Sequence, residues 1–348
     1  MKLWQRYFLR EQLKLLLFIL AVVFVLFTVI DYSINTKSLA GQGVPTIELL
    51  TYYAAQFFTH LQLLIPLALL LATIKVLTSA NSHNELVALR AGGLPARKLL
   101  TPLLFVAAAC ALFLWANYQW SYPRATAHVD RFEDQYMHSG RAEQKAKLNV
   151  IRIEDGSKLL YQSYDISRGA FFDVYWLRNS GDVYHMQHLM PHGDTPVGTF
   201  VDHIIKSESG HFIRDESSPH LTLTDMHFGK RDLVDALIPP TDMSFTDLWR
   251  RLPKKHRNIT DYQGEVLTAF NLKLAYPLLC FLAVLAPAPW CIRFRRHLPI
   301  FFIFCLSIAG FLAFLTTMDA MAILGESHTL SPDLALWLPI AACFAIFG

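Results

Sequence analysis

The sequence predicts a polytopic α-helical membrane protein with six transmembrane helices and an all-β, jellyroll-like domain inserted between the third and fourth. Three observations lead there. The 348 residues are 53% apolar and 17% charged, against roughly 45–50% and about 25% in an ordinary globular chain. The apolar excess is confined to runs such as 15–30 and 301–315, which carry no charge, while residues 120–265 are as polar as a soluble domain. Inside that polar stretch, short β-branched and aromatic runs recur between turn signals.

A bilayer core about 30 Å thick needs roughly 20 apolar residues in a helix. Six stretches meet or approach that length, centred on 13–32, 52–78, 98–118, 267–291, 298–319 and 332–348. Pro66 in the second and Pro277, Pro287 and Pro289 in the fourth are expected to kink these helices without ending them, because neighbouring helices re-satisfy the freed carbonyls. The first stretch follows Lys2, Arg6, Arg10 and Lys14 as a secretory leader would. It runs too long and has no small-x-small cleavage pattern, so it reads as an uncleaved span.

Basic residues near span ends assign the sides, since cytoplasmic loops carry the Lys/Arg excess. Beside the N-terminal set, Lys75, Arg90, Arg97 and Lys98 follow the second span, and Arg293, Arg295 and Arg296 follow the fourth. The opposite short loops offer Lys37 alone, and Asp319, Glu326 and Asp333 instead of bases. Both termini are therefore expected in the cytoplasm and the polar domain outside it. The chain divides as residues 1–119 (helices 1–3, with a cytoplasmic helix at about 80–92), 120–265 (the β domain) and 266–348 (helices 4–6).

The β domain is expected to open with a helix through Arg131 to Tyr136 and then to form seven or more strands: 149–153, 158–163, 170–178, 182–188, 197–205, 211–214 and 220–227. Asp155-Gly156, Ser180-Gly181, His192-Gly193 and Ser209-Gly210 supply turns between them. All five cysteines lie in or beside apolar segments, so this domain has neither a disulfide nor a Cys-based metal site.

Several function classes fall away. A net charge of +3 with no basic and aromatic cluster gives no nucleic-acid surface. No Gly-x-x-x-x-Gly-Lys-Ser/Thr loop is present to cradle ATP phosphates. A Gly-x-Ser-x-Gly elbow is also missing, and the spans offer no acid and base pair for a lipid-modifying enzyme. The chain reads as non-catalytic.

The most informative loop is 79–93, Ser-Ala-Asn-Ser-His-Asn-Glu-Leu-Val-Ala-Leu-Arg-Ala-Gly-Gly. Ser82 and Glu85 have capping-box spacing, Leu86, Leu89 and Arg90 share a helical face, and Gly92-Gly93 with Pro95 ends the helix. One reading is an interfacial connector. The other is a coupling helix, a rigid protrusion that passes movement of a separate ATPase to the spans.

Residues 84–93, Asn-Glu-Leu-Val-Ala-Leu-Arg-Ala-Gly-Gly, resemble the signature between the second and third spans of the LptF/LptG (YjgP/YjgQ) lipopolysaccharide-export permease family. Residues 271–277 (Asn-Leu-Lys-Leu-Ala-Tyr-Pro) resemble its fourth span, and 331–339 (Ser-Pro-Asp-Leu-Ala-Leu-Trp-Leu-Pro) the start of its sixth. Residues 239–248 (Pro-Pro-Thr-Asp-Met-Ser-Phe-Thr-Asp-Leu) resemble the family's exit from its β domain.

That resemblance implies a permease subunit in the inner membrane of Gram-negative bacteria. It pairs with a homologous F-type or G-type subunit and is driven by a cytoplasmic ATPase dimer (LptB-like). ATP and magnesium sit in that partner, and this chain holds no cofactor. Lipopolysaccharide leaves the outer leaflet of the membrane and passes through periplasmic jellyroll domains to a bridge protein (LptA-like), with a single-helix accessory protein (LptC-like) alongside. The first and fifth spans would act as lateral gates. Glu85, with Leu86, Leu89 and Arg90, would contact the ATPase. The rival reading is a membrane-anchored periplasmic binding or assembly scaffold without transport.

Two lysines are lipid-binding candidates. The resemblance implies that anionic lipid A phosphates bind near the outer level of Lys37, against the simpler reading of a solvated loop lysine. Lys273 lies inside the fourth apolar stretch, where a charge costs several kcal/mol unless it snorkels or finds a partner. Seven histidines (His185, His188, His192, His203, His211, His220 and His227) raise the question of metal. His185 and His188, three apart, should lie on opposite faces of a strand, with no Cys and no His-Glu-x-x-His helix, so no metal is expected. Asn258-Ile259-Thr260 matches a glycosylation sequon of little specificity. Phe171, Val174 and Trp176 are read as one strand face, ordinarily core and, in a lipid-carrying jelly roll, the wall of an acyl-chain slot.

Overall fold

The computed structural model describes residues 2–41, 44–137, 149–152, 157–165, 169–191, 195–206, 212–224, 226, 239–252, 261–292, 300–327 and 329–347. By its contacts the chain forms two units. One comprises Met1–Met137, Asp242–Lys254 and Gln263–Gly348, and the other His138–Thr241 with Lys255–Tyr262.

The first unit is helical. Its elements are α1 (Leu3–Gly41), α2 (Thr46–Ser82), α3 (Glu85–Ala91) and α4 (Ala96–Ala116), the last running through a π segment (Asn117–Ser121) into α5 (Tyr122–Phe132) and a second π segment (Glu133–Met137). After the sheet come α6 (Phe245–Arg251), α7 (Asp261–Ala275), a 3-10 turn (Tyr276–Leu278), α8 (Leu279–Leu285), α9 (Ala288–Ile292), α10 (Ile300–Glu326) and α11 (Pro332–Phe347). Among the described residues, five helices are long and apolar enough to cross a membrane, and α11 is a shorter apolar helix of 16 residues.

The expected kinks divide by context. Pro66 is enclosed and α2 continues through it, whereas Pro277 sits in the 3-10 turn and the fourth apolar stretch resumes as α8 and α9. A proline ring excludes the carbonyl four residues earlier, and a tighter turn accommodates that loss. The long core runs through α2, α4, α8 and α9, with Leu61, Leu69, Ile74, Leu77, Leu103 and Leu114 fully buried. Gln12 on α1 donates to the Thr73 hydroxyl on α2 at 3.0 Å, both side chains being buried. In contrast, α1 and α10 leave most of their apolar length uncovered. Leu17, Phe18, Val25, Phe301, Leu306 and Leu312 are all exposed.

The second unit carries six antiparallel strands in sequential order: β1 (Asn149–Arg152), β2 (Lys158–Asp165), β3 (Ala170–Leu177), β4 (Val183–Met190), β5 (Val197–Lys206) and β6 (Phe212–Thr222). Among the described residues six strands stand where seven or more were expected, because two of the expected short runs join. Residues 211–214 and 220–227 were separated by Asp215 to Pro219, yet β6 continues through them. Pro219 is tolerated because β6, among the described residues, pairs with β5 alone, and an edge strand can spare an N–H. The described strands form a meander; crossing connections of a jelly roll are not among them. The β3–β4 hairpin turns at Ser180-Gly181 as expected, with Gly181 at φ +92 and its N–H donating to Arg178 O at 3.0 Å. The other three turns lie outside the described residues.

One row runs across the sheet out of pattern. Alternation puts every second side chain on one face, but the buried residues Phe171 and Val174 on β3, Met186 and Leu189 on β4, and Gly198 and Val201 on β5 are each three apart. The skipped pairs in the register align Gln162, Asp173, Gln187, Phe200 and Pro219 across the strands. Asp173 (φ 51) and Phe200 (φ 50) are left-handed there. This shift is what brings Phe171 onto the face of Val174 and Trp176, which strict alternation denies it.

Candidate functional site

Between the second and third spans, α2 continues through Ser82, so Ser82 does not start the next helix. Its hydroxyl donates back to Ser79 O at 2.8 Å. The expected Ser82–Glu85 capping box is therefore absent, and α3 begins after Asn84, which is left-handed (φ 60) and makes no side-chain cap. Asn tolerates that conformation better than most residues, and the sharp reversal frees α3 from the axis of α2. The helix spans 85–91 and is shorter than the 80–92 expected.

Its end is as predicted. Gly93 (φ +83) donates to Arg90 O at 3.0 Å and Leu94 to Leu89 O at 3.2 Å, the paired bonds of a Schellman ending. Leu86 is 2% exposed within the helical core and Leu89 packs against it. These two side chains anchor α3. Glu85 is half-buried, while Val87 and Arg90 are exposed. Ala88 and Ala91 are exposed as well. Val87 escaped the sequence reading because an exposed valine carries no motif.

The two lysines fare differently. Lys37 lies in the C-terminal part of α1, and its side chain lies outside the described residues. Lys273, on α7, is 4% exposed. Its ammonium donates to the Met243 carbonyl and lies over the rings of Tyr122 (4.9 Å) and Tyr118 (5.6 Å). It neither snorkels nor reaches the surface, because these partners surround it on the protein side. Elsewhere in the bundle, Asp31 of α1 acts electrostatically on His60 of α2, whose ring meets Phe27 at 4.5 Å.

In the sheet, the inward face is closed core. Phe171, Val174, Leu159, Met186 and Leu189 are fully buried, with Trp176 at 2% and its indole N–H donating to Ser157 at 3.0 Å. Burial pushes the Tyr161 phenol above its ordinary range. On the outward face the shifted row places His185 and His188 on the same side, correcting the opposite-face argument. They turn to different partners: His185 pairs with Asp173 at 2.8 Å and stacks on Tyr175, and His188 meets Phe172. His203 stacks on Tyr184 and lies 3.4 Å from Asp215. No group of three or more metal-ligating side chains occurs among the described residues. His192, His211, His227 and the sequon at 258–260 lie outside them.

An apolar cavity of about 540 Å³ opens among α2, α8, α9, α10 and α11, with Leu70, Leu282, Trp290, Phe302, Phe311 and Phe347 in its wall. Such a wall, in which Ser307 adds a hydroxyl to an otherwise mainly apolar lining, accepts hydrocarbon.

Long apolar helices packed into one core, together with a separate antiparallel sheet, define a multi-pass membrane protein. The model of the family described as lipopolysaccharide export system permease LptF/LptG matches residues 6–348, and the chain belongs to that family. It is accordingly a permease component of a transport system. No curated protein sequence matches it.

Proposed function

We propose that this chain is one permease subunit of an ATP-driven lipopolysaccharide exporter. It crosses the inner membrane six times, α11 being the sixth span, with both termini cytoplasmic and a jellyroll-like sheet unit in the periplasm. The match over 6–348 carries this reading. Two features of the helices support it. The first and fifth spans, α1 and α10, present long uncovered apolar faces, as the gates and walls of a lipid path would. The short helix α3 exposes Val87 and Arg90 beside a half-buried Glu85, on a base anchored by Leu86, as a docking knob for an ATPase dimer would.

In this mechanism the homologous F-type or G-type partner completes the cavity. Closure of the ATPase pushes α3, the anchored Leu86 passes the displacement into the core, and the lipid is expelled toward the sheet unit. From there it passes to the accessory and bridge proteins. Lys37 is the candidate for a lipid phosphate.

The test is purification of the full chain from its membrane, with mass spectrometry of what accompanies it. An ATPase, a second permease and bound lipopolysaccharide are expected. Glu85→Arg should release the ATPase and stop lipid export while leaving the two permeases paired. Export that persists at the ordinary rate with Glu85→Arg would overturn the coupling role. A sheet unit that binds periplasmic proteins with no ATPase present would favour the scaffold.

A further inference from the structure

Asn271, Lys273 and Tyr276 place three polar side chains within two turns of an otherwise apolar span. In lipid such groups must be satisfied by protein, and each of the three reaches a different element. Asn271 donates to Asp333 at 2.7 Å and accepts from the Trp337 indole at 3.1 Å, both on α11. Tyr276 donates to Asp319 on α10 at 3.2 Å. Lys273 turns the other way, to the carbonyl of Met243.

Met243 belongs to the segment by which the chain returns from the sheet unit to the helical one. That segment is fastened a second time. Ser244 caps α6 by accepting the Asp247 N–H at 3.2 Å. The Gln119 side chain donates to the Thr246 hydroxyl at 2.7 Å and accepts the Thr246 N–H at 3.2 Å. Gln119 sits in the π segment Asn117–Ser121, a widened turn of the kind found at functional positions in helices. Its neighbour Tyr118 lies under the Lys273 ammonium and donates to Gln62 of α2 at 2.7 Å. One cation thus joins the return segment to the fourth span and to the end of the third.

An apolar side chain of similar volume would fill this position, but it would forfeit the bond to the Met243 carbonyl and the attraction of Asp242, and removing one member of a buried charged contact destabilises. What lysine adds is a directional bond to one backbone carbonyl, held by two ring faces. We propose that Lys273 is a positioning residue: it pins the return segment Asp242–Arg251 to the third and fourth spans, so that movement of the spans is delivered to the chain leading from the sheet unit. The pin stands on the geometry alone. Its mechanical consequence rests on the permease reading.

The experiment uses the full chain with Gln119→Cys and Thr246→Cys, joined by a short bifunctional thiosulfonate and read by mass spectrometry of the linked peptides. With Lys273 present, linking is fast. Lys273→Met should slow it about fivefold to tenfold, the scale on which one lost hydrogen bond shifts a local equilibrium, and Lys273→Arg should restore most of the rate. Tyr122→Leu, which keeps the lysine and removes a ring face, should slow it less. Equal rates in the Lys and Met chains overturn the pin, and if the Met chain does not fold, an unchanged rate with Tyr122→Leu does so.

In vesicles holding the chain with its ATPase and second permease, Lys273→Met should lower lipid released per ATP hydrolysed, and the cross-link should restore it. Unchanged release, or a loss that the cross-link does not repair, overturns the coupling role. If the unaltered chain releases no lipid with ATP, the permease reading fails, while the linking rates still decide the pin.

Discussion

At the scale of single residues, the sheet holds two side chains in a conformation that L residues avoid. A left-handed backbone costs a non-glycine residue about 1–2 kcal/mol. Asp173 recovers part of this through its hydrogen bond with His185, but Phe200 is 64% exposed and has no such return. Phe200→Asn, which tolerates the conformation, should therefore stabilise the sheet by about 1 kcal/mol, and Phe200→Val should destabilise it. Thermal unfolding of the full chain, followed by the loss of sheet signal, measures both; a lower midpoint for the Asn variant would show that the phenyl ring packs where its exposure says it does not. Neither left-handed position was legible in the sequence, because Asp in a run of Phe, Val, Tyr and Trp reads as an ordinary outward residue. The error propagated: counting by twos separated His185 from His188, and only the row through Asp173, Gln187 and Phe200 puts them together. The fate of Lys273 was equally hidden. Its cost in an apolar span was evident, but its partners come from Tyr118, Tyr122 and Met243, far away in the chain.

At the scale of elements, chain stops were easier to read than starts. The end of α3 is written in Gly92-Gly93-Leu94-Pro95, since Gly93 must be left-handed and Pro95 cannot continue the helix. Its start was misplaced, because nothing in Ser82 says that α2 has not yet ended. The two glycines make a test. At Gly93 a methyl group meets nothing within 4 Å, so Gly93→Ala costs only the backbone term, about 1 kcal/mol. At Gly92, with ordinary φ and ordinary contacts at 3.4 and 3.6 Å, alanine should cost nothing. Hydrogen exchange of the α3 amides should accelerate about fivefold for the first and stay put for the second. In the sheet, Gly198 is the opposite case: a methyl group there lies 2.7 Å from Met186 Sδ and 2.9 Å from Val201 Cγ2. Gly198→Ala should cost about 1–3 kcal/mol by overpacking, seen as a lower midpoint for loss of the sheet signal.

At the scale of the whole molecule, composition separates two solvents with the polar one over 120–265, whereas the contacts group Met1–Met137 and Asp242–Lys254 with the helical unit and His138–Thr241 with the sheet unit. The apolar stretches were legible because a bilayer demands length and composition together. Strand connectivity was less so, since an edge strand can pass through Ser-Ser-Pro without leaving the sheet. The proposed arrangement across the membrane rests on the basic residues: those flanking α3 lie at the ends of α2 and α4, where a Lys/Arg excess is expected on the cytoplasmic side, while long domains cross irrespective of charge. That proposal puts α3 and the sheet in different compartments. Val87, 55% exposed on α3, and Glu216, exposed on β6, are suitable reporters. In intact cells a membrane-impermeant thiol reagent should reach the Glu216→Cys side chain once the outer membrane is opened, and should reach that of Val87→Cys only after the inner membrane is breached. Labelling of both at the same step would put the helix and the sheet on one side, and an ATPase could not then drive the spans from beneath while the lipid leaves above.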